Sequence, residues 1–194
     1  MKCIIKIDDK DIGETLYKIN EPKIRKAVRT ILFNEKGEIA ILHKKNKNEY
    51  KLVGGGIEEN ENMEEALRRE VNEEAGCIIK DIVELGYVEE LRTINNFMQI
   101  SFVFVSKVEK NKNQLSLTKQ EQDEGAEICW VLPEIALKKI KECYNRLIPS
   151  KYSNLYNSKM VIKRDELILE YYLKNKEKIT IYWLLPYLVV MIKN

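Results

Sequence analysis

Residues 54–77 read GGGIEENENMEEALRREVNEEAGC. Three consecutive glycines, Gly54, Gly55 and Gly56, end an apolar run and let the backbone approach a neighbour closely. From 63 to 75, Met63, Ala66, Leu67 and Val71 recur at helical spacing among carboxylates and arginines, and Gly76 stands where a helix C-cap belongs. Residues three and four apart share a helix face, so Glu70, Glu73 and Glu74 project together while Leu67 and Val71 turn toward a core. Three carboxylates on one patch repel one another. Placing them together costs stability unless a cation neutralises them, and a hard divalent cation such as Mg²⁺, which prefers oxygen ligands, suits the patch.

Outward from this helix the chain alternates. Residues 25–33 are β-branched and apolar, Asn34-Glu35-Lys36-Gly37 supplies turn chemistry, and 39–42 is apolar again, which predicts a hairpin. A polar loop over 44–49 leads to a short apolar piece, 50–53, that stops at the glycines. Beyond the helix, 77–88 and 97–108 read as strands, the second nearly continuous in apolar residues from 100 to 105 and so expected at the centre of a sheet. A charged loop spans 110–125, and a strand covers 127–131. Pro133 opens a helix to about 143, and 162–173 carries a third helical pattern. The order predicts a mixed α/β sandwich, a sheet between helices, with one domain over 1–149. A C-terminal extension over 150–194 would pack on that domain or on a dimer partner.

Composition narrows the function. The 194 residues carry 33 Lys+Arg against 31 Asp+Glu, a net charge of +2, with 44% hydrophobic residues. Such a chain folds, and its charge is too small and too even to hold long nucleic acid. Four cysteines without C-x-x-C spacing and a single histidine argue against structural zinc and against a disulfide framework. Residues 1–9 hold no signal-peptide core, so a cytoplasmic location is expected, where thiols stay reduced. The longest apolar stretch, 179–192, is interrupted by Thr180 and Pro186 and falls short of the about 20 residues of a membrane span. No membrane association is expected. Tyr182, Trp183, Tyr187 and their aliphatic neighbours instead call for cover by the core or by a second copy, which makes a homodimer or a lid the expected use of the tail.

Taken alone, an acidic helix is most often a solvated face with i,i+4 ion pairs. Spacing decides otherwise. The segment matches G-x5-E-x7-R-E-U-x-E-E-x-G-U at Gly55, Glu61, Arg69, Glu70, Val71, Glu73, Glu74, Gly76 and Cys77. Identities at seven of these positions make a chance match on the order of one in a million for a chain of this length. The pattern is the Nudix box, and over 23–143 the chain resembles Nudix hydrolases. The only departures, Cys77 in an aliphatic slot and Val53 where many members have proline, touch no ligand position.

The resemblance implies an α/β/α sandwich whose box, 55–77, forms a loop, helix and loop. It also implies a divalent metal, Mg²⁺ with Mn²⁺ able to substitute, and hydrolysis of a diphosphate linkage by metal-activated water. Carried over residue by residue, Glu70, Glu73 and Glu74 would be metal ligands. Glu70 would also orient or deprotonate the water, and the Gly54 or Gly55 carbonyl would be a further ligand. Gly55, Glu61, Arg69 and Gly76 would be structural, Arg69 gripping Glu61 with its fork. Metal and fixed carboxylates supply what phosphoryl transfer needs, so no nucleophilic side chain is required.

Outside the box, the loop 117–125 resembles one that in several Nudix enzymes brings another glutamate to the metals, which makes Glu121 and Glu124 both candidate catalytic residues. Arg25 and Arg29 are candidates to meet substrate phosphates, with Lys44 and Lys45 as further basic residues, whereas His43 reads as structural. Glu90-Leu91-Arg92-Thr93 stands where ADP-ribose enzymes carry a proline marker and dinucleoside polyphosphate enzymes a tyrosine. The runs typical of NADH-cleaving and coenzyme A enzymes are missing as well. The expected substrate is a small nucleotide, a nucleoside diphosphate linked to another moiety, foremost a nucleoside triphosphate, oxidised forms included. The alternatives are an ADP-ribose or nucleotide-sugar pyrophosphatase, or a ligand-sensing Nudix-type transcriptional regulator without catalysis.

Overall fold

The structure, a computed structural model, describes residues 1–112 and 114–192, the side chains of 180–192 excepted. Seven strands are β1 (Cys3–Ile7), β2 (Lys23–Phe33), β3 (Ile39–Lys44), β4 (Glu49–Leu52), β5 (Cys77–Arg92), β6 (Phe97–Asn111) and β7 (Ala126–Val131). The α-helices are α1 (Met63–Ala75), α2 (Lys119–Asp123), α3 (Pro133–Cys143) and α4 (Leu155–Ile192). The strand order is β1-β5-β6-β2-β3-β4, with β7 pairing the other edge of β3. β5 and β6 pair antiparallel, while β2 runs parallel to β6 along its whole length and β1 runs parallel to β5, so the sheet is mixed.

The sheet divides two apolar layers. Ile31 and Leu32, adjacent in β2, point to opposite faces as a strand requires. On the Leu32 side, α1 buries Ala66, Leu67 and Val71 against Val28, Val53 and Phe104. On the Ile31 side, α3 and α4 bury Ile140, Ile162, Ile168 and Leu169 against Ile41, Leu52, Val103 and Val105. Each fully buried aliphatic side chain of this kind contributes roughly 1.5–3 kcal/mol, so Leu67→Asp would detach α1. Pro133 occupies the first turn of α3, where its missing N–H is no loss.

Several expected elements differ. The predicted hairpin of 25–33 with 39–42 is joined by one residue pair, Phe33 with Ile39, because β3 pairs with β4 and β7 instead. β5 continues past 88 to Arg92. Its charged end is buried: Glu90, fully buried, pairs with Arg92 and with Arg164 of α4, contacts that no apolar pattern reveals. The charged loop 110–125 is shorter than expected, since β6 extends to Asn111 and Thr118 caps the short helix α2. The helical pattern of 162–173 is only the middle of α4, a helix that spans Leu155–Ile192. The apolar stretch 179–192 falls within α4, and beyond Ile179 its side chains lie outside the described residues. Among the described residues no helix is long and apolar enough to cross a membrane.

Candidate active site

Local signals set the start and end of α1. The Asn62 side chain accepts from the N–H groups of Glu64 and Glu65, and the Glu65 carboxylate returns to the Asn62 N–H. At the other end Gly76 closes the helix in the left-handed region, φ 63°. Between these caps the helical repeat turns Glu70, Glu73 and Glu74 toward the glycine loop, and all three line one cleft of about 700 Å³ with Gly54, Gly55 and Glu121.

The approach of loop to helix is tight. A Cβ on Gly55 would lie 2.2 Å from Glu70 Oε1, and Gly54 has φ +133°, with room for a Cβ blocked by the Val28 carbonyl at 2.3 Å. Gly54 therefore admits only glycine, whereas a side chain at Gly55 would have to displace the Glu70 carboxylate. The Gly55 carbonyl accepts the Val28 N–H at 2.9 Å, whereas the Gly54 carbonyl faces Lys51 Nζ at 3.4 Å. Of the two carbonyls expected as ligands, Gly55's is thus engaged in strand pairing.

Glu74 is not on an outer acidic face, as an amphipathic reading suggests, but buried. Lys51 Nζ lies 2.6 Å from its Oε1, and the Gly54 N–H donates to its Oε2 at 2.7 Å. Burial pushes its carboxyl above the usual range, and Lys51 and the Gly54 N–H offset this only in part. Arg69 donates through Nε and Nη2 to both oxygens of Glu61, at 2.8 and 3.0 Å, through Nη2 to the Gly56 carbonyl, and through Nη1 to Glu70 and Glu73. The repulsion expected among the three box carboxylates is relieved by these two cations. Glu70 and Glu73 share Arg69, and Glu74 holds Lys51.

The two loop glutamates part company. Glu121 lines the cleft and is near enough to Glu74 to raise that residue's carboxyl. Burial works against the charge of Glu121, but Thr118, whose N–H and hydroxyl each donate at 2.9 Å, and Lys51 hold its carboxyl below the usual range. Glu124 lies away from the cleft lining, buried against Lys44 at 2.7 Å and the Ser150 hydroxyl at 2.6 Å. The basic candidates separate too. Arg25, Arg29 and Lys44 all line the cleft, but Lys44 is committed to Glu124, and exposed Lys45 pairs with Glu127 at 2.6 Å. His43 stacks on Tyr50 with ring centroids 4.0 Å apart. The pairing of β3 with β7 sets His43 near Glu127 and Cys129, their ligand atoms within 4.8 Å of one another, a grouping invisible in the spacing of the sequence.

Sequence reasoning missed Lys51, a lone cation in an apolar run, and the contribution of α4. Asp165 Oδ2 accepts the Leu52 N–H at 2.8 Å, just before the glycines, while Oδ1 accepts from Arg164 Nε at 2.8 Å. The available signal was an adjacent pair of opposite charges inside the apolar pattern of 162–173. The donor set of Glu70, Glu73, Glu74 and Glu121 is all hard oxygen, around a buried carboxylate whose charge burial penalises. That chemistry fits a divalent cation.

A family model described as NUDIX domain matches residues 23–150. Among solved structures the chain is similar to one from a structure and function study of MutT from the fish pathogen Aliivibrio salmonicida and from Vibrio cholerae. The two are 20% identical over 57% of this chain and 79% of that one, with a TM-score of 0.43. No curated protein matches the chain.

Proposed function

The chain belongs to the NUDIX domain family and is a Nudix hydrolase acting on phosphoric anhydrides, and on that premise we propose that it hydrolyses the diphosphate linkage of a small nucleotide, foremost a nucleoside triphosphate, with Mg²⁺. The observation that carries this reading is the convergence of Glu70, Glu73, Glu74 and Glu121 on one cleft that Arg25 and Arg29 also line. Bound among these carboxylates, Mg²⁺ or Mn²⁺ would neutralise the diphosphate and lower the pKa of the attacking water.

The protein's own residues do the rest. Glu70, Glu73 and Glu74 would hold the cation, with the Gly54 carbonyl beside Lys51 as a further oxygen. Glu70, held by Arg69 and lying close against Gly55, would also orient the water and take its proton. Arg69 has a structural role: by gripping Glu61 and the Gly56 carbonyl it ties the loop to α1. Gly55 allows the close approach and Gly76 ends the helix. Glu121 joins the carboxylates from α2, and Glu124 supports the loop from behind through Lys44.

The test is a panel of nucleoside triphosphates, dinucleoside polyphosphates and nucleotide sugars with Mg²⁺ or Mn²⁺, both products of any hit being identified. Metal-dependent cleavage within a phosphoanhydride supports the reading. Tight binding of a nucleotide with no turnover under any condition would favour the ligand-sensing alternative.

A further inference from the structure

Among the described residues, two buried guanidinium nitrogens, Arg29 Nε and Arg164 Nη2, have no hydrogen-bond partner. Arg29 comes from β2, is 5% exposed and lines the cleft. Arg164 comes from α4, is fully buried, and lies close enough for its charge to oppose those of both Arg29 and Arg25. Arg25 sits at the open rim of the same cleft, with Nη1 donating to Gln99 at 3.1 Å.

The charges around this floor are uneven. Arg25, Arg29, Arg92 and Arg164 face two buried carboxylates, Glu90 and Asp165, of which Glu90 serves both Arg92 and Arg164. Glu70 also acts on Arg25 and Glu74 on Arg29, but these two carboxylates are already held by Arg69 and Lys51. Burial and the neighbouring Arg164 bring the Arg29 pKa down to about 10. A buried cation with an idle donor is expensive unless an anion arrives to meet it.

We propose that Arg29 and Arg25, backed by Arg164 from α4, form an anion subsite for a phosphoryl group of the substrate that lies beyond the diphosphate held by the box glutamates. The proposal rests on the reading of the cleft as a diphosphate site and narrows it to compounds with a further phosphate. A nucleoside triphosphate qualifies, whereas a simple nucleotide sugar does not. Arg29 is suited to hold a phosphate, because Nη1 stays fixed on the Val28 carbonyl at 2.6 Å while Nε is free to donate, and a guanidinium matches phosphate oxygens better than an ammonium does. Arg164 acts through its charge, anchored by Asp165 and Glu90, and lies outside the segment 23–150 that matches the family model. This chain's own C-terminal helix therefore helps to shape its substrate choice.

The experiment uses the full chain in EDTA, with thermal melting in inorganic phosphate or tripolyphosphate against chloride at equal ionic strength. Wild-type and Glu70→Gln should both be stabilised by these anions, while Arg25→Gln and Arg29→Lys should lose most of the shift. Should Arg29→Lys fold poorly, Arg25→Gln at the rim carries the test. With Mg²⁺ present, Arg25→Gln should lower kcat/KM for a nucleoside triphosphate about tenfold or more, mainly through KM, and leave that for a nucleotide sugar nearly unchanged. Absence of anion stabilisation in wild-type, or equal stabilisation in the arginine variants, overturns the subsite. Arginine-dependent phosphate binding without hydrolysis of any compound would instead overturn the hydrolase reading and leave the subsite standing.

Discussion

Lys51 Nζ of β4 lies 2.6 Å from Glu74 Oε1 of α1. The contact ties the strand that leads into the glycine loop to the helix that carries the box carboxylates, and the Gly54 N–H on the other oxygen of Glu74 completes the clamp. Among the described residues the three box glutamates are therefore held on fixed cations rather than gathered on one another. A divalent ion entering here competes with Lys51 and Arg69 for carboxylate oxygens.

Added Mg²⁺ should raise the melting temperature by mass action, since only the folded chain assembles the carboxylates. The gain is about 2.7 kcal/mol at a hundredfold excess over the dissociation constant. Glu73→Gln should reduce the Mg²⁺-induced shift in a thermal melt. A shift that persists unchanged in Glu73→Gln places the cation elsewhere.

Glu121→Gln and Glu124→Gln should behave oppositely. Glu121 lines the cleft, so its replacement should lower kcat with little loss of folding. Glu124 is the buried partner of Lys44, so its replacement should lower stability, on the order of 3 kcal/mol, with a smaller effect on turnover. Melting curves and steady-state kinetics of the two variants check both arms. Equal effects on kcat would reject the separation.

Stability should depend on pH through Glu61. Arg69 holds the Glu61 carboxyl below the usual range, so the folded state favours its ionised form more than the unfolded chain does. That contribution is fully present above the unfolded carboxylate value and is lost as pH falls through the folded one. The difference in melting temperature between wild-type and Glu61→Gln should thus be largest near neutral pH and shrink in acid. A constant difference down to strongly acidic pH would mean that the fork does not stabilise through charge.

α1 was legible in the sequence because its determinants are local: apolar spacing at Ala66, Leu67 and Val71 and a glycine at the C-cap. The partner of β2 was not, because the choice between Ile39 across a turn and Phe97–Lys107 in parallel depends on the whole sheet. Buried charges hid in the same way. Glu90, Lys51 and Arg164 look like solvated residues until their partners, brought from 74, 23 and 74 positions away, are in place. The box showed three of the carboxylates that line the cleft, whereas choosing between Glu121 and Glu124 required the turn of α2 that directs one inward and the other onto Lys44.

The most direct test of the account is the turnover of Glu70→Gln under saturating Mg²⁺, measured beside its melting curve. The substitution keeps size and helix propensity and removes the charge assigned to the water. Glu70→Gln should give a folded protein with wild-type-like melting and kcat lowered by roughly 10² to 10⁴. A Glu70→Gln protein that turns over near the wild-type rate would contradict it.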